Sequence, residues 1–199
     1  MKIIAATKNP GKIREIKKIL SPYNIEVIAQ DEICPDLEIE ENGNTFAENA
    51  KLKAMAIYEA TGITAIADDS GLAVDALNGE PGIYSARYCG VHGNDKANNE
   101  KLLKVMQGIE NRKAHFICSI CCVIAPEGYV ISTQGSCDGE IGFCEKGENG
   151  FGYDSLFLIG DRTTAQMSEE EKNAISHRSK ALVEFAKEFE KYNNRGNTK

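Results

Sequence analysis

Thr64-Ala65-Ile66-Ala67-Asp68-Asp69-Ser70-Gly71 runs a short apolar stretch into two adjacent carboxylates, a hydroxyl and a glycine. The apolar part reads as a buried strand, so the carboxylates are expected at its end, where a charge escapes full desolvation and still faces a ligand. A metal ion or a water is the natural ligand there. Asp, Ser and Gly are also ordinary turn residues, so a solvated turn and a chemical site fit these residues equally. The surrounding chain has to decide between them.

Upstream, Lys2 to Thr7 reads as a strand, and Lys8-Asn9-Pro10-Gly11-Lys12 leads into an amphipathic stretch with Ile13, Ile16, Ile19 and Leu20. Asn9 suits an N-cap and Pro10 the first helical position, where its missing N–H costs nothing. Ser21-Pro22 ends that helix, Ile25 to Ala29 gives a second strand, and an acidic segment runs from Asp31 to Glu41. Thr45-Phe46-Ala47-Glu48 has the form of a capping box, opening a helix whose Ala47, Ala50, Ala54, Ile57 and Tyr58 share a face up to Gly62. Downstream, Leu72 to Asp75 continues as strand and Asn94 opens a polar helix ending near Gly108. His115 to Ala125 and Tyr129 to Ser136 form a hairpin of long strands. The glycine-rich stretch from Gly135 through Gly152 is too dense in glycine for a helix, and Ser155 to Ile159 is one more buried strand. Ser168-Glu169-Glu170-Glu171 is another capping box, opening a helical region with Ile175, Leu182, Phe185 and Phe189, while Asn193 to Lys199 is expected to fray. Strands alternating with helices predict a mixed α/β domain.

The 199 residues suffice for one core or for two lobes sharing a sheet, so a single domain spanning 1–199 is expected. Hydrophobic content of 42% and charge of 27% are ordinary for a globular chain, and no window reaches the roughly eighteen apolar residues of a membrane span. No secretory pattern precedes Lys2-Ile3-Ile4-Ala5-Ala6, which makes the cytosol the expected compartment. Seven cysteines, an odd number, argue for reduced thiols. Cys118-x-x-Cys121 lies in an apolar strand and lacks the second pair a zinc site needs. The net charge of −7 argues against a broad nucleic-acid surface, but leaves room for a small anion held by a local basic pocket or a divalent cation.

Four groups of residues carry chemistry. Thr7 to Lys12 offers a phosphate a hydroxyl, two lysines, a glycine and a helix N-terminus; it is no P-loop, because Ile13 follows Gly11-Lys12 and the earlier glycine is missing. A plain strand-to-helix turn fits it equally. In the acidic segment, Glu38, Glu40 or Glu41 could join Asp69 around magnesium, although an acidic run is ordinarily a solvated face. In Gly150-Phe151-Gly152-Tyr153-Asp154, Phe151 could stack on a nucleobase while Asp154 holds the loop or the base; core aromatics are the commoner explanation. Lys172, His177 and Arg178 come last. On one straight helix Lys172 and Arg178 would be roughly 120° out of phase at about 100° per residue, so a break between Ile175 and His177, with Ser176 as a new N-cap, is expected to turn both toward one pocket.

Together these segments resemble the inosine triphosphate pyrophosphatase family. TKNPGK (Thr7 to Lys12) is similar to its phosphate loop, IEENGNTFAENAKLKA (Ile39 to Ala54) to its acidic loop and helix, and ADDSGLAVDALNGEPGIYSARY (Ala67 to Tyr88) to its signature. GFGYD and EEKNAISHRSKAL resemble its base-binding elements. The resemblance implies an α/β fold with a mixed elongated sheet flanked by helices, two lobes with a nucleotide cleft between them, and a homodimer. It implies magnesium-dependent hydrolysis of purine nucleoside triphosphates such as ITP, dITP and XTP to the monophosphate and pyrophosphate, which cleanses the nucleotide pool. Asp69 would be the general base, and Glu40 with Asp69 would hold magnesium. Thr7, Lys8, Asn9, Pro10, Gly11 and Lys12 would cradle the triphosphate, with Lys53 and Arg87 as helpers and Ser70 as a substrate contact. Phe151, Gly152, Tyr153, Asp154, Lys172, His177 and Arg178 would take the base, with Arg178 or His177 donating to the purine 6-keto oxygen. A nucleotide-binding regulator and a broad-specificity phosphohydrolase are the competing readings; the first leaves the carboxylates without a use.

Overall fold

A computed structural model describes residues 1–196. The strands are β1 (Lys2–Ala5), β2 (Glu26–Ala29), β3 (Ala65–Val74), β4 (Lys113–Ile124), β5 (Tyr129–Ile141), β6 (Phe157–Ile159) and β7 (Arg162–Thr163). The helices are α1 (Pro10–Leu20), α2 (Gln30–Ile33), α3 (Phe46–Thr61), α4 (Asp95–Val105), α5 (Glu169–Ile175) and α6 (His177–Gly196). The strands form one seven-stranded sheet in the order β2-β1-β3-β4-β5-β6-β7. It is mixed: β1 runs parallel to β2 and β3, whereas β6 is antiparallel to β5 and β7. No described helix is long and apolar enough to cross a membrane.

The chain divides into two compact units. The first comprises Met1–Asp69, Cys118–Gly135 and the chain from Arg178 onward. Its strands β1, β3 and the Cys118–Ile124 part of β4 are largely buried on both faces, which is why they read as continuous apolar runs. Period-two alternation sorts them: Ile3, Ala5, Ile66, Cys118, Ile120 and Cys122 pack with Ile16 and Leu20 of α1 and Leu182 and Phe185 of α6. Ile4, Ala6, Ala65, Ala67, Cys121 and Val123 pack with Ala50, Ala54 and Ile57 of α3 on the opposite face.

The second unit comprises Ser70–Ile117 and Ser136–His177. Its core gathers Leu72, Val74, Phe116, Cys137 and Ile141 from the strands, Leu102 and Met106 from α4, and Tyr153, Leu156 and Phe157. In β5 buried and exposed residues largely alternate, as in a sheet solvated on one side.

Local signals held where their chemistry is local. Asn9 caps α1 by accepting from Lys12 N, and Pro10 takes the first turn. Ser168 and Glu171 form a complete capping box on α5. Thr45 caps α3, but Glu48 reaches back to Asn44 N rather than completing the box, and Ala47, expected on the buried face, is exposed.

Three expectations need correction. The strand does not end at Asp68: β3 runs unbroken through Asp68-Asp69-Ser70, because its place inside the sheet outweighs the turn preference of Asp, Ser and Gly. β5 passes through Gly135 and Gly139 to Ile141, beyond the expected end at Ser136. A Cβ on Gly139 would come within 2.6 Å of the Phe157 ring, so this glycine admits a closely packed neighbour rather than flexing a loop. Finally, α6 continues helically through Asn193 to Gly196; the remaining residues of the expected frayed end lie outside the described ones.

Candidate active site

Alternation along β3 sends its two carboxylates to opposite faces of the sheet. Asp68 follows Ile66 toward α1 and α6, and Asp69 follows Ala65 and Ala67 toward α3. Their environments differ accordingly.

Asp68 is fully buried. Its Oδ2 accepts from Arg178 Nε at 3.2 Å and Nη2 at 3.1 Å, and Lys12 Nζ lies 3.1 Å away. Arg178 also donates through Nη1 to Glu15 of α1. Burial alone would raise the Asp68 pKa, yet Lys12, Arg178 and Lys53 outweigh it and hold this carboxyl well below the usual carboxylate range. Asp68 is therefore a permanent anion that ties the Lys12 end of the TKNPGK loop to Arg178.

Asp69 is buried but keeps 6% of its surface exposed. Lys53 Nζ donates to its Oδ1 at 2.8 Å, and Asn49 Nδ2 to its Oδ2 at 3.4 Å. Asn49 and Lys53 stand four residues apart on α3, hence on one face. Burial outweighs the attraction of Lys53, so the Asp69 pKa is raised. Lys53 loses charge preference to burial, but Asp69, Asp68 and Glu41 more than restore it and raise its pKa. An ionised carboxylate whose proton affinity is raised suits a general base.

Past α2 the acidic segment is irregular, and it brings Glu41 rather than Glu40 to this group. Glu41 Oε1 lies 3.1 Å from Lys53 Nζ, while Glu38 and Glu40 are exposed. Gly43 N donates to Asn49 Oδ1 at 2.8 Å, and a Cβ on Gly43 would fall 2.7 Å from that oxygen, so the segment docks on α3 through a position only glycine fits. No group of three or more Asp, Glu, His or Cys side chains among the described residues could hold a metal. Magnesium, however, commonly takes one or two carboxylates and completes its shell with water and phosphate oxygens. Asp69 and Glu41 already share one cation, Lys53, and in that sense the donor set fits.

The phosphate-type loop is internally ordered. Thr7 Oγ1 accepts from Asn9 N at 3.2 Å, Asn9 Oδ1 from Lys12 N at 3.1 Å, and Lys8 Nζ donates to Pro35 O at 2.9 Å. Pro10 is exposed and Gly11 buried at the start of α1.

In the second unit, Phe116, Cys137, Asp154, Ile159, Thr164, Lys172, Ile175, Ser176 and His177 line a cavity. Asp154 is saturated by its own surroundings: Oδ2 accepts from Lys172 Nζ at 2.7 Å and Phe151 N at 2.9 Å, and Oδ1 from Thr164 Oγ1 at 2.8 Å. These contacts hold the loop. Lys172 Nζ sits 4.9 Å from the Phe151 ring centre, and His177 stacks on Phe116 at 4.8 Å. Tyr153 is buried, donating to Ser85 O at 2.9 Å. Ser70 is half-buried on β3, and Arg87 packs over the Tyr84 ring at 5.3 Å.

The expected helix break is present. Ser176 is extended, with ψ 151°, between α5 and α6. Its consequence differs from expectation: Lys172 engages Asp154 and Phe151 in the second unit, whereas Arg178 engages Asp68 and Glu15 in the first. Glu15, Asn49 and Thr164 escaped the sequence reading. Only Asn49 carried a local signal, its four-residue spacing from Lys53.

A mixed sheet with helices on both faces, a phosphate-type loop after β1 and opposed carboxylates on β3 define an α/β protein equipped for an anionic ligand. The Ham1 family model matches residues 3–188, and the chain belongs to that family, in agreement with the resemblance read from its motifs. It is 46% identical over 195 residues to the dITP/XTP pyrophosphatase of Clostridium tetani, covering 96% of each chain. It is 51% identical over 186 residues to that of Haemophilus influenzae, covering 91% of this chain and 95% of the other. Among solved structures it resembles the Staphylococcus aureus Ham1 protein, with TM-score 0.86 and 45% identity over 96% of this chain and 100% of that one. A HAM1 protein from Coxiella burnetii gives TM-score 0.86 at 37% identity over 96% and 99% of the two chains.

Proposed function

We propose that this protein is a pyrophosphatase that hydrolyses non-standard purine nucleoside triphosphates, namely ITP, dITP and XTP, to the monophosphate and pyrophosphate. The observation that carries the reading is Asp69: a buried carboxylate of raised proton affinity, held between Asn49 and Lys53, in a family whose relatives are dITP/XTP pyrophosphatases. Asp69 takes a proton from water as the water oxygen bonds to the α-phosphorus. The α–β bridging bond breaks, and its electrons leave with pyrophosphate. Lys53 keeps Asp69 ionised between turnovers. Thr7 to Lys12 in the first unit takes the phosphates, with Lys12 poised by Asp68.

Magnesium would be held by Asp69 together with a glutamate of the acidic segment, Glu40 by resemblance or Glu41 by its place beside Lys53. When bound, it supplies neutralisation of phosphate charge and orientation of the displacement. In the second unit Phe151 gives the purine a stacking face, and Lys172 and His177 are the donors for its 6-keto oxygen. Adenine presents an amino group there and would leave a donor unpaired, at roughly 1–3 kcal/mol. Arg178 serves through Asp68, to which its Nε and Nη2 both donate.

The test is pyrophosphate release with magnesium from ITP, XTP, GTP and ATP side by side, for the wild type and Asp69→Asn. Turnover of ITP and XTP above ATP, lost by about 10²–10⁴-fold in a variant that still binds ITP, is expected. Equal turnover of ATP and ITP would refute the base assignment, and an active Asp69→Asn protein would refute the role of the carboxylate.

A further inference from the structure

The loop that offers Phe151 to a base has little steric control of its own. Phe151 lies between Gly150 and Gly152, both at positive φ, +80° and +63°. Glycines on both sides leave the ring free to sample many directions unless the backbone is fixed from outside. On the N-terminal side Asp154 does so, accepting from Phe151 N. On the C-terminal side the hold comes from α4: Asp95 Oδ2 accepts from Gly152 N at 2.7 Å, and Asn99 Nδ2 donates to Gly152 O at 3.2 Å.

Asp95 and Asn99 are four residues apart on one face of α4, so a single helix face reads both polar groups of one glycine, much as a neighbouring strand would. The amide of Asn99 can point only one way. Its Nδ2 faces Glu145 Oε2 at 3.0 Å and Ser155 Oγ at 3.1 Å as well as Gly152 O, and Ser155 Oγ itself donates to Glu145 at 2.7 Å, so all three are acceptors toward Asn99. Asn99 is 3% exposed and anchored, whereas Asp95 is exposed. The acidic half of the clamp can therefore be altered without opening the core.

We infer that Asp95, working with Asn99, is a positioning residue: by gripping Gly152 it sets the Phe151 ring in the plane that stacks on the purine. The inference rests on Phe151 being the base platform. Asp95 acts on the base end of the substrate alone, and its loss costs affinity for the nucleotide rather than the rate of the chemical step.

The experiment compares the wild type with Asp95→Asn and Asp95→Ala, using ITP as substrate and inorganic tripolyphosphate as a baseless competitive inhibitor. Loss of a charge-assisted hydrogen bond predicts KM for ITP up by about tenfold in Asp95→Ala and by less in Asp95→Asn, whose amide oxygen still accepts. With it, kcat stays within about twofold and the tripolyphosphate inhibition constant is unchanged. An unchanged KM overturns the inference, and so does tripolyphosphate binding that weakens in parallel, because that marks a general structural effect. Thermal melting of each variant checks that the fold is intact. If the wild type releases no pyrophosphate from ITP, the proposed function falls and this inference with it; a wild type that turns over beside variants of unchanged KM condemns the inference alone.

Discussion

Replacing Asp68 with Asn removes one negative charge from a fully buried site and changes almost nothing in shape. Three charge-assisted contacts converge on its Oδ2, two from Arg178 and one from Lys12, at 3.1–3.2 Å. Removing one partner of a buried ion pair costs about 3–5 kcal/mol, chiefly by stranding the other charge. Here Glu15 still pairs with Arg178 and the amide oxygen still accepts, so the lower end, about 3 kcal/mol, is expected. At about 2–4 °C per kcal/mol for a chain of this size, the melting temperature should fall by about 6–12 °C. The pH dependence has a definite sign. The folded Asp68 pKa lies well below its unfolded value near ~3.9, so the stability it contributes is complete above about pH 4 and is lost as pH falls toward the folded value. Urea unfolding of both proteins across a pH series measures the gap between them, which should stay level from about pH 8 to about pH 5 and narrow below about pH 4. A gap under about 0.5 kcal/mol at neutral pH, the size of an ordinary surface substitution, would refute the buried-pair reasoning. A gap that widened on acidification would refute the sign.

Phe151→Ala should weaken ITP binding by about 1–3 kcal/mol, roughly 5- to 150-fold by calorimetry, because base stacking on an aromatic ring is lost; a dissociation constant within about twofold of wild type would contradict the platform assignment. His115 has both ring nitrogens on carboxylates, Nδ1 at 2.9 Å from Asp138 and Nε2 at 3.0 Å from Asp75, and the hydrogen bond to Asp138 leads in raising its pKa against partial burial. Its contribution to stability is thus full below the unfolded value near ~6.5 and lost as pH rises through the folded one. An NMR titration should place the His115 midpoint above ~6.5 and bring it down in Asp138→Asn; a midpoint at or below ~6.5 would contradict the bridged geometry.

What could be read from the chain was what its chemistry settles locally. Asn9-Pro10 at the start of α1, Ser168 with Glu171, and the break at Ser176 are decided within a few residues, and the structure has each of them. The candidate residues could be named from the chain, but not their partners. Arg178 reaches Asp68 across 110 positions and Glu15 across 163, and Asp95 reaches Gly152 across 57. No local pattern encodes such pairings. The acidic segment left Glu38, Glu40 and Glu41 open for a different reason: alternation assigns faces only to regular strands, and these residues are irregular; the structure puts Glu41 beside Lys53. Asp68-Asp69-Ser70-Gly71 read as a turn because turn propensity is a property of residues, whereas membership of a central strand is a property of neighbours.

Being interior to β3 is what separates the two carboxylates chemically. At a strand end, adjacent aspartates could both face one ligand and repel each other there. Inside the strand they emerge on opposite faces, and the helices on those faces impose opposite fates: Arg178 and Lys12 drive Asp68 toward a permanent charge, while burial against α3 raises the proton affinity of Asp69. Environments that push two neighbouring pKa values apart fit them for different tasks, as the proposed division between anchor and base requires. The division is set by register, since β1 pairs Ile4 with Ala65 and Ala5 with Ile66. A slip of β3 by one residue would turn every side chain to the other face, presenting Asp68 to Lys53 and Asp69 to Arg178. The alternation of Ile3 and Ala5 against Ile4 in β1 and Ala6 just after it, matched by Ile66 against Ala65 and Ala67, resists that slip, because each face buries its own apolar set. The apolar residues ahead of the site thus do more than support it: they determine which of two identical carboxyl groups meets Lys53 and which meets Arg178.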